Sequence, residues 1–268
     1  MESLLEKSHS LKSLLKASKD TPDFPNMAQV ISQNIQVNVY IIGRRGKILG
    51  YHLWDEYSCS NMQQVLYFSE RFPESYNQKL ISILETEKNI TDTENSCIFS
   101  PHECPLLERY VTVIPIYGWG ERFATIVLAS AAKKITDEAI VLAELGAMVV
   151  AMGVMLLKLK RAENDDRNTA NVQIALKTLS FSELRAVEHI LNELDGMEGL
   201  VVASRVADRV GITRSVIVNA LRKLESANVI QAKSLGMKGT FIRILNNNLI
   251  DELNNMGWLK KKTTINDK

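Results

Sequence analysis

Residues 203–222 read ASRVADRVGITRSVIVNALR, and the spacing within this stretch decides the fold. Val206, Ala207 and Val210 put an apolar stripe on a first short helix. Gly211 stops that helix, because glycine takes the left-handed C-cap conformation without a Cβ penalty. Ile212 is the single apolar plug of the turn, and Thr213 is a good N-cap for the next helix. Ile217, Ala220, Leu221 and Leu224 then recur at helical spacing and face inward. Arg214, Ser215, Asn219, Arg222 and Lys223 are left facing out. The stretch reads as a helix-turn-helix whose second helix carries side chains suited to base edges and phosphates.

Working outward, the residues that follow complete a wing. LESANVIQAKSLGMKGTFIRIL supplies a strand from Val229 to Lys233, a turn over Gly236 and Gly239 with Lys238 between them, and a returning strand from Thr240 to Leu245. Charge here is one-sided. Between Gly199 and Leu245 there are eight basic residues and two acidic ones, an excess of six in a chain whose formal net charge is +1. A local basic excess of this kind is the electrostatic footprint of a nucleic-acid binder. The predicted DNA-contacting set is Thr213, Arg214, Ser215, Asn219, Arg222, Lys223 and Lys238.

The rest of the chain has room for a second domain, since 268 residues exceed what one small winged domain needs. Hydrophobic residues at 46% and charged residues at 24% are ordinary for a globular protein, which excludes a disordered or collagen-like chain. The three cysteines (Cys59, Cys97, Cys104) lack framework spacing and fit a reducing cytosol. Leu4 to Leu15 predicts an amphipathic helix without a signal-peptide core, and Met27 to Ile35 a second helix after a break at Thr21 to Pro25. Val37 to Ile42 and Lys47 to Leu53 predict a hairpin with Arg44, Arg45 and Lys47 at its tip. Ser58 to Asn95 reads as helix and loop. Val111 to Tyr117 and Arg122 to Ser130 predict a second hairpin around Gly118, Trp119 and Gly120. Helix, antiparallel strands and a long helix in that order suggest an α+β sensor domain of the GAF or PAS kind.

Ala139 to Leu157 is nearly long enough to span a bilayer, with only Glu144 charged. The acidic start at Asp137 and Glu138, capped by Thr136, favours a helix packed between the sheet and a partner subunit. Beyond Lys158 the pattern turns polar and then amphipathic through Leu179, as a linker helix would. Ser180 with Glu183 makes a capping box that opens the helix Phe181 to Leu194. The expected organisation is a GAF-like sensor over 1–155, a linker helix over 156–179 and a winged helix-turn-helix domain over 180–268.

GRRGKILGY, VIPIYGWGER, the helix Ile140 to Val150 and above all ASRVADRVGITRSVIVNALRKLESANVI with SLGMKGTFI resemble the CodY family. The resemblance spans the chain and is tightest over Ser180 to Leu245. It implies a global transcriptional regulator, mainly a repressor, with a GAF sensor for GTP and branched-chain amino acids (isoleucine, valine, leucine). It further implies a cytoplasmic homodimer on an inverted-repeat DNA operator. On the family's pattern a nucleotide meets Arg44, Arg45, Lys47 and Lys158, types that pair well with phosphate oxygens. Gly153 stands where the family carries a base-reading glutamate. The family's amino-acid pocket maps to Asn61, Met62, Val65, Phe72, Cys97, Phe99 and Pro101. Asn61 replaces an arginine that forks onto the ligand carboxylate, a difference of about 1–3 kcal/mol. Weak or absent isoleucine binding is therefore expected. The alternative is a dimeric DNA-binding regulator whose sensor takes a different effector or none.

An enzyme is not expected. The chain has no GxxxxGK[ST] phosphate loop and no legible serine, histidine and carboxylate arrangement. Cys97, His102, Glu103 and Cys104 cluster, but not with the paired spacing of a zinc site. His189 reads as a packing or surface residue. No catalytic residue and no metal ligand is assigned, and no membrane partner is expected.

Overall fold

A computed structural model describes residues 3–17, 21–54, 62, 65–91, 109–131, 133–194 and 196–259. The chain forms two compact units, Met1–Lys160 and Arg161–Lys268. The division falls inside a continuous helix, where the sequence suggests ends at 155 and 179.

In the first unit, helix α1 (Leu4–Ala17) and α2 (Phe24–Ile35) precede the hairpin β1 (Asn38–Gly43) and β2 (Ile48–His52). Asp23 caps α2 by accepting the Asn26 amide, and Pro25 sits in the first turn, where its missing N–H is not needed. A π-helical turn (Val65–Ser69), α3 (Glu74–Ser82) and β3 (Glu87–Ile90) follow. Strand β3 is a correction to the helix-and-loop reading of this region. EKNI is too short and polar to announce a strand. Strands β4 (Tyr110–Gly118) and β5 (Glu121–Ser130) complete an antiparallel sheet of order β2-β1-β5-β4-β3.

Successive side chains of a strand point to opposite faces, and here both faces are covered. Val39 and Ile41, Ile114 and Ile116, and Ala124, Ile126 and Leu128 pack with α1, α2 and the helix α4 (Asp137–Lys177). Tyr40 and Ile42, Val111, Val113 and Val127 face the other way, onto Val65, Leu66, Phe72, Tyr76 and Leu80. Strand β2 runs so close to the start of α2 that a Cβ on Gly50 would lie 2.5 Å from the Phe24 carbonyl carbon.

By length and composition α4 could cross a membrane. Ala139, Ile140, Leu142, Ala143, Ala147, Val149 and Val150 are buried in the sheet-and-helix core, which accounts for part of its apolar character, whereas Val141, Met148 and Met152 stay more than half exposed.

In the second unit the end of α4 supplies Val172, Ala175 and Leu176 to a separate core. The helix α5 (Phe181–Glu193) carries the expected capping box. The Ser180 hydroxyl accepts the Glu183 amide while the Glu183 carboxylate accepts the Ser180 amide. Strand β6 (Glu198–Val201) leads into α6 (Ala203–Val210) and α7 (Arg214–Ser226). Then come β7 (Ile230–Ser234), a 3-10 turn (Gly236–Lys238), β8 (Thr240–Ile244) and α8 (Asn248–Asn255). The wing is a three-stranded sheet of order β6-β8-β7, one strand more than the sequence suggests.

Candidate functional site

The helix-turn-helix follows from its apolar spacing. Val206, Ala207 and Val210 are buried on α6, and Ile217, Ala220, Leu221 and Leu224 on α7. Gly211 adopts φ 69° and ψ 36° and donates its amide to the Ala207 carbonyl. Ile212 packs against the core from the turn. Thr213 occupies the N-cap position with extended backbone, but its side chain caps nothing. Its Oγ1 lies 2.7 Å from Ser215 Oγ. The two hydroxyls therefore hold each other at the start of α7.

Burial of the apolar face leaves Arg214, Ser215, Asn219 and Arg222 exposed on α7. Lys223 is exposed in part but turned elsewhere. Its ammonium donates to the Thr178 carbonyl at 2.9 Å and to Glu183 Oε2 at 2.8 Å. Burial pushes the Glu183 carboxyl up, but the hydrogen bonds from Lys223 and Ser180 outweigh it and hold the group below the ordinary carboxylate range. Lys223 thus braces α7 on α5 and stands apart from the rest of the predicted DNA set.

Two further members of the basic excess are spent inside the unit. Arg209 pairs with Glu193 at 2.7 Å, and Arg243 pairs with Glu198 across the wing. Arg205, Arg214, Arg222, Lys233 and Lys238 have no ion pair among the described residues. Lys238 ends the 3-10 turn of the wing and is exposed.

In the first unit the basic turn is fastened from beneath. Asn77 donates to the Arg44 carbonyl at 3.2 Å, and Arg71 donates to the Arg45 carbonyl at 2.7 Å. Arg44 and Arg45 line a groove of about 440 Å³ with Arg71, Glu74, Asn77, Gln78 and Ile81. Lys47 lines a different, open groove along β2 with Tyr51, Leu66, Tyr67 and Glu70. Lys158 comes to Arg44 through a shared partner, Glu121, whose two carboxylate oxygens meet one cation each. The hydrogen bond from Lys158, with the nearby Arg44 charge, holds the Glu121 carboxyl below its ordinary range. Arg44 thus belongs both to the groove it lines with Arg45 and to the Glu121 cluster it shares with Lys158, while Lys47 lines a separate groove. Sequence reasoning missed Arg71 and Glu121. Trp119, beside Glu121 in the β4–β5 turn, is 92% exposed.

Gly153 faces Pro22, Phe24 and Met27, all within 3.4 Å of a Cβ built there. Of the predicted amino-acid pocket, Val65 and Phe72 are buried in the second core with Met62 against them. Phe72 makes ring contacts with Tyr40 at 6.2 Å and Tyr76 at 5.7 Å. Asn61, Cys97, Phe99 and Pro101 lie outside the described residues, as does the Cys97 to Cys104 cluster.

Residues 3–178 match the family described as the CodY GAF-like domain, and residues 197–256 match the CodY helix-turn-helix domain. A global transcriptional regulator CodY of Clostridium kluyveri is 48% identical over 255 residues, 94% of this chain and 98% of the relative. One from Clostridium botulinum is also 48% identical over the same shares. Among solved structures, the cofactor-binding GAF domain of the nutrient sensor CodY from Clostridium difficile is 30% identical. It covers 57% of this chain and 99% of its own, with a TM-score of 0.42. The relatives are named as regulators, not enzymes. With both domains matched and nearly the whole length aligned, this chain belongs to the CodY family of global transcriptional regulators.

Proposed function

We propose that the chain acts as a homodimeric cytoplasmic repressor that reads an inverted-repeat operator under the control of a nucleoside triphosphate. The observation that carries the DNA part is the outer face of α7. Arg214, Ser215, Asn219 and Arg222 lie exposed there, and neither arginine is neutralised among the described residues. Arginine forks onto guanine and asparagine onto adenine in a major groove. The start of α7 enters the groove first, as recognition helices do.

The homodimer is supported by a second stripe on α4. Val141, Leu145, Met148, Met152, Met155 and Leu159 alternate in steps of four and three, the spacing of a helix seam that meets another helix. Val141, Met148, Met152 and Leu159 are each more than half exposed. A second copy presents the same stripe, and two-fold symmetry in the protein mirrors two-fold symmetry in an operator.

For the effector, the exposed cations Arg44, Arg45 and Lys158 suit a triphosphate such as GTP. Because Gly153 supplies no carboxylate to a base, the phosphates carry most of the binding and GTP is weakly favoured over ATP. Branched-chain amino acids bind weakly in the pocket of Met62, Val65 and Phe72, because Asn61 lacks the arginine fork. The second reading, a sensor that takes another effector, rests on these same two positions.

Fluorescence anisotropy on an inverted-repeat duplex, with calorimetric titration of GTP, ATP, isoleucine and valine, tests the whole. Steep salt dependence, loss of binding in Arg214→Ala and a GTP-dependent affinity are expected. DNA binding unaffected by Arg214→Ala refutes the interface. Silence from all four titrants refutes the effector assignment.

A further inference from the structure

Two of the cations assigned to the nucleotide, Arg44 and Lys158, are already occupied. Glu121 opens β5, Arg44 sits on the β1–β2 turn and Lys158 lies far along the sequence on α4. The Lys158 ammonium donates to Glu121 Oε2 at 2.5 Å, and Arg44 Nη1 stands 3.6 Å from Glu121 Oε1. One carboxylate thus spans two cations with an oxygen to each. A phosphoryl group offers the same pattern, oxygens on a common centre with one facing each cation.

We infer that Glu121 is an internal occupant of the phosphate subsite, which a polyphosphate must displace from Arg44 and Lys158. The inference rests on the reading that these two cations receive phosphate. Glu121 and Lys158 are about half exposed and Arg44 more so, so the carboxylate can swing into water without opening the core. Lys158 keeps a second support, since its ammonium lies 4.7 Å from the centre of the Phe123 ring. Arg45 has no ion pair among the described residues and is free to make the first contact.

Displacement makes the site selective for charge. Orthophosphate brings little more charge than the carboxylate it replaces. A triphosphate brings enough to hold Arg44, Arg45 and Lys158 together. Glu121 therefore acts as a threshold that rejects weakly charged anions. It also keeps two cations in place when no ligand is bound.

The test is calorimetric titration of the full chain with sodium orthophosphate, sodium tripolyphosphate and GTP, for the wild type, Glu121→Gln, Glu121→Ala and Arg44→Ala with Arg45→Ala. Both Glu121 variants are expected to bind tripolyphosphate and GTP roughly threefold to tenfold more tightly, the yield of two exposed ion pairs no longer in competition. The gain shrinks at high salt. The double arginine variant loses binding. Unchanged or weaker binding in the Glu121 variants, with a wild type that binds GTP, overturns the inference and leaves the nucleotide reading standing. No binding of tripolyphosphate or GTP by the wild type or either Glu121 variant overturns both.

Discussion

The two halves of the molecule treat their cations differently. On α7 the outward arginines, Arg214 and Arg222, have no partner among the described residues. In the sensor unit, Arg44 and Lys158 are held on Glu121. A surface that meets a polyanion carrying one charge about every 1.7 Å needs no partner of its own, because DNA supplies charge in excess. A site that has to distinguish bound from free needs a defined free state, and an internal carboxylate provides one. The same contrast runs through the DNA-binding unit itself. There Lys223, Arg209 and Arg243 are tied to Glu183, Glu193 and Glu198, which leaves a smaller set to face DNA.

Four variants break or sharpen this contrast. The largest effect is expected at Gly50, where any Cβ meets the backbone of Phe24 and Pro25. Gly50→Val should destabilise the sensor unit by about 3 kcal/mol or more, read by urea denaturation, because backbone cannot move aside as a side chain can. Next, Arg44→Ala with Arg45→Ala should remove roughly 2–3 kcal/mol of nucleotide affinity and with it the nucleotide effect on operator binding. Calorimetry paired with anisotropy reads both.

Arg214→Ala should weaken specific operator binding by about 1–3 kcal/mol and flatten the discrimination at one base pair. Smallest is Lys223→Met, about 1–2 kcal/mol of stability through the carboxylate it strands, with specific DNA contacts kept. The pH dependence sharpens this last case. Glu183 has a folded-state pKa below its unfolded one, so its contribution is whole above the ordinary glutamate value and is lost as pH falls through the folded value. In Lys223→Met that acid-side loss should shrink. An unchanged acid limb in thermal melts would mean that Lys223 does not hold Glu183.

Much of the DNA-binding half was legible in sequence because its determinants are local. Apolar residues three and four apart fix which faces of α6 and α7 are buried, and Gly211 and the Ser180–Glu183 box act within a turn of where they stand. The contacts of Lys223 are not legible because a helical wheel gives the direction of a Cβ but not the reach of a lysine. The ammonium crosses to a carboxylate 40 residues earlier. The idle N-cap at Thr213 reflects a neighbour, Ser215, that competes for its hydroxyl. In the sensor half the strong hairpins were legible from alternation. The short strands β3 in this half and β6 in the other were not, because their pairing is imposed by β4 and β8. Glu121 escaped because its role exists only once β5 is set beside a helix residue 37 positions away.

Trp119 offers a different kind of handle. It lies two residues from Glu121 at the tip of a hairpin and is almost wholly in water. The chain's other tryptophans are more sheltered: Trp54 is 42% exposed, and Trp258 rests edge-on against Phe181 with ring centres 5.2 Å apart. Emission from Trp119 should therefore be the most red-shifted of the three and the first to be quenched by acrylamide. The protein carries an intrinsic optical reporter two residues from Glu121, and any polyanion that displaces this carboxylate can be followed in real time without a label.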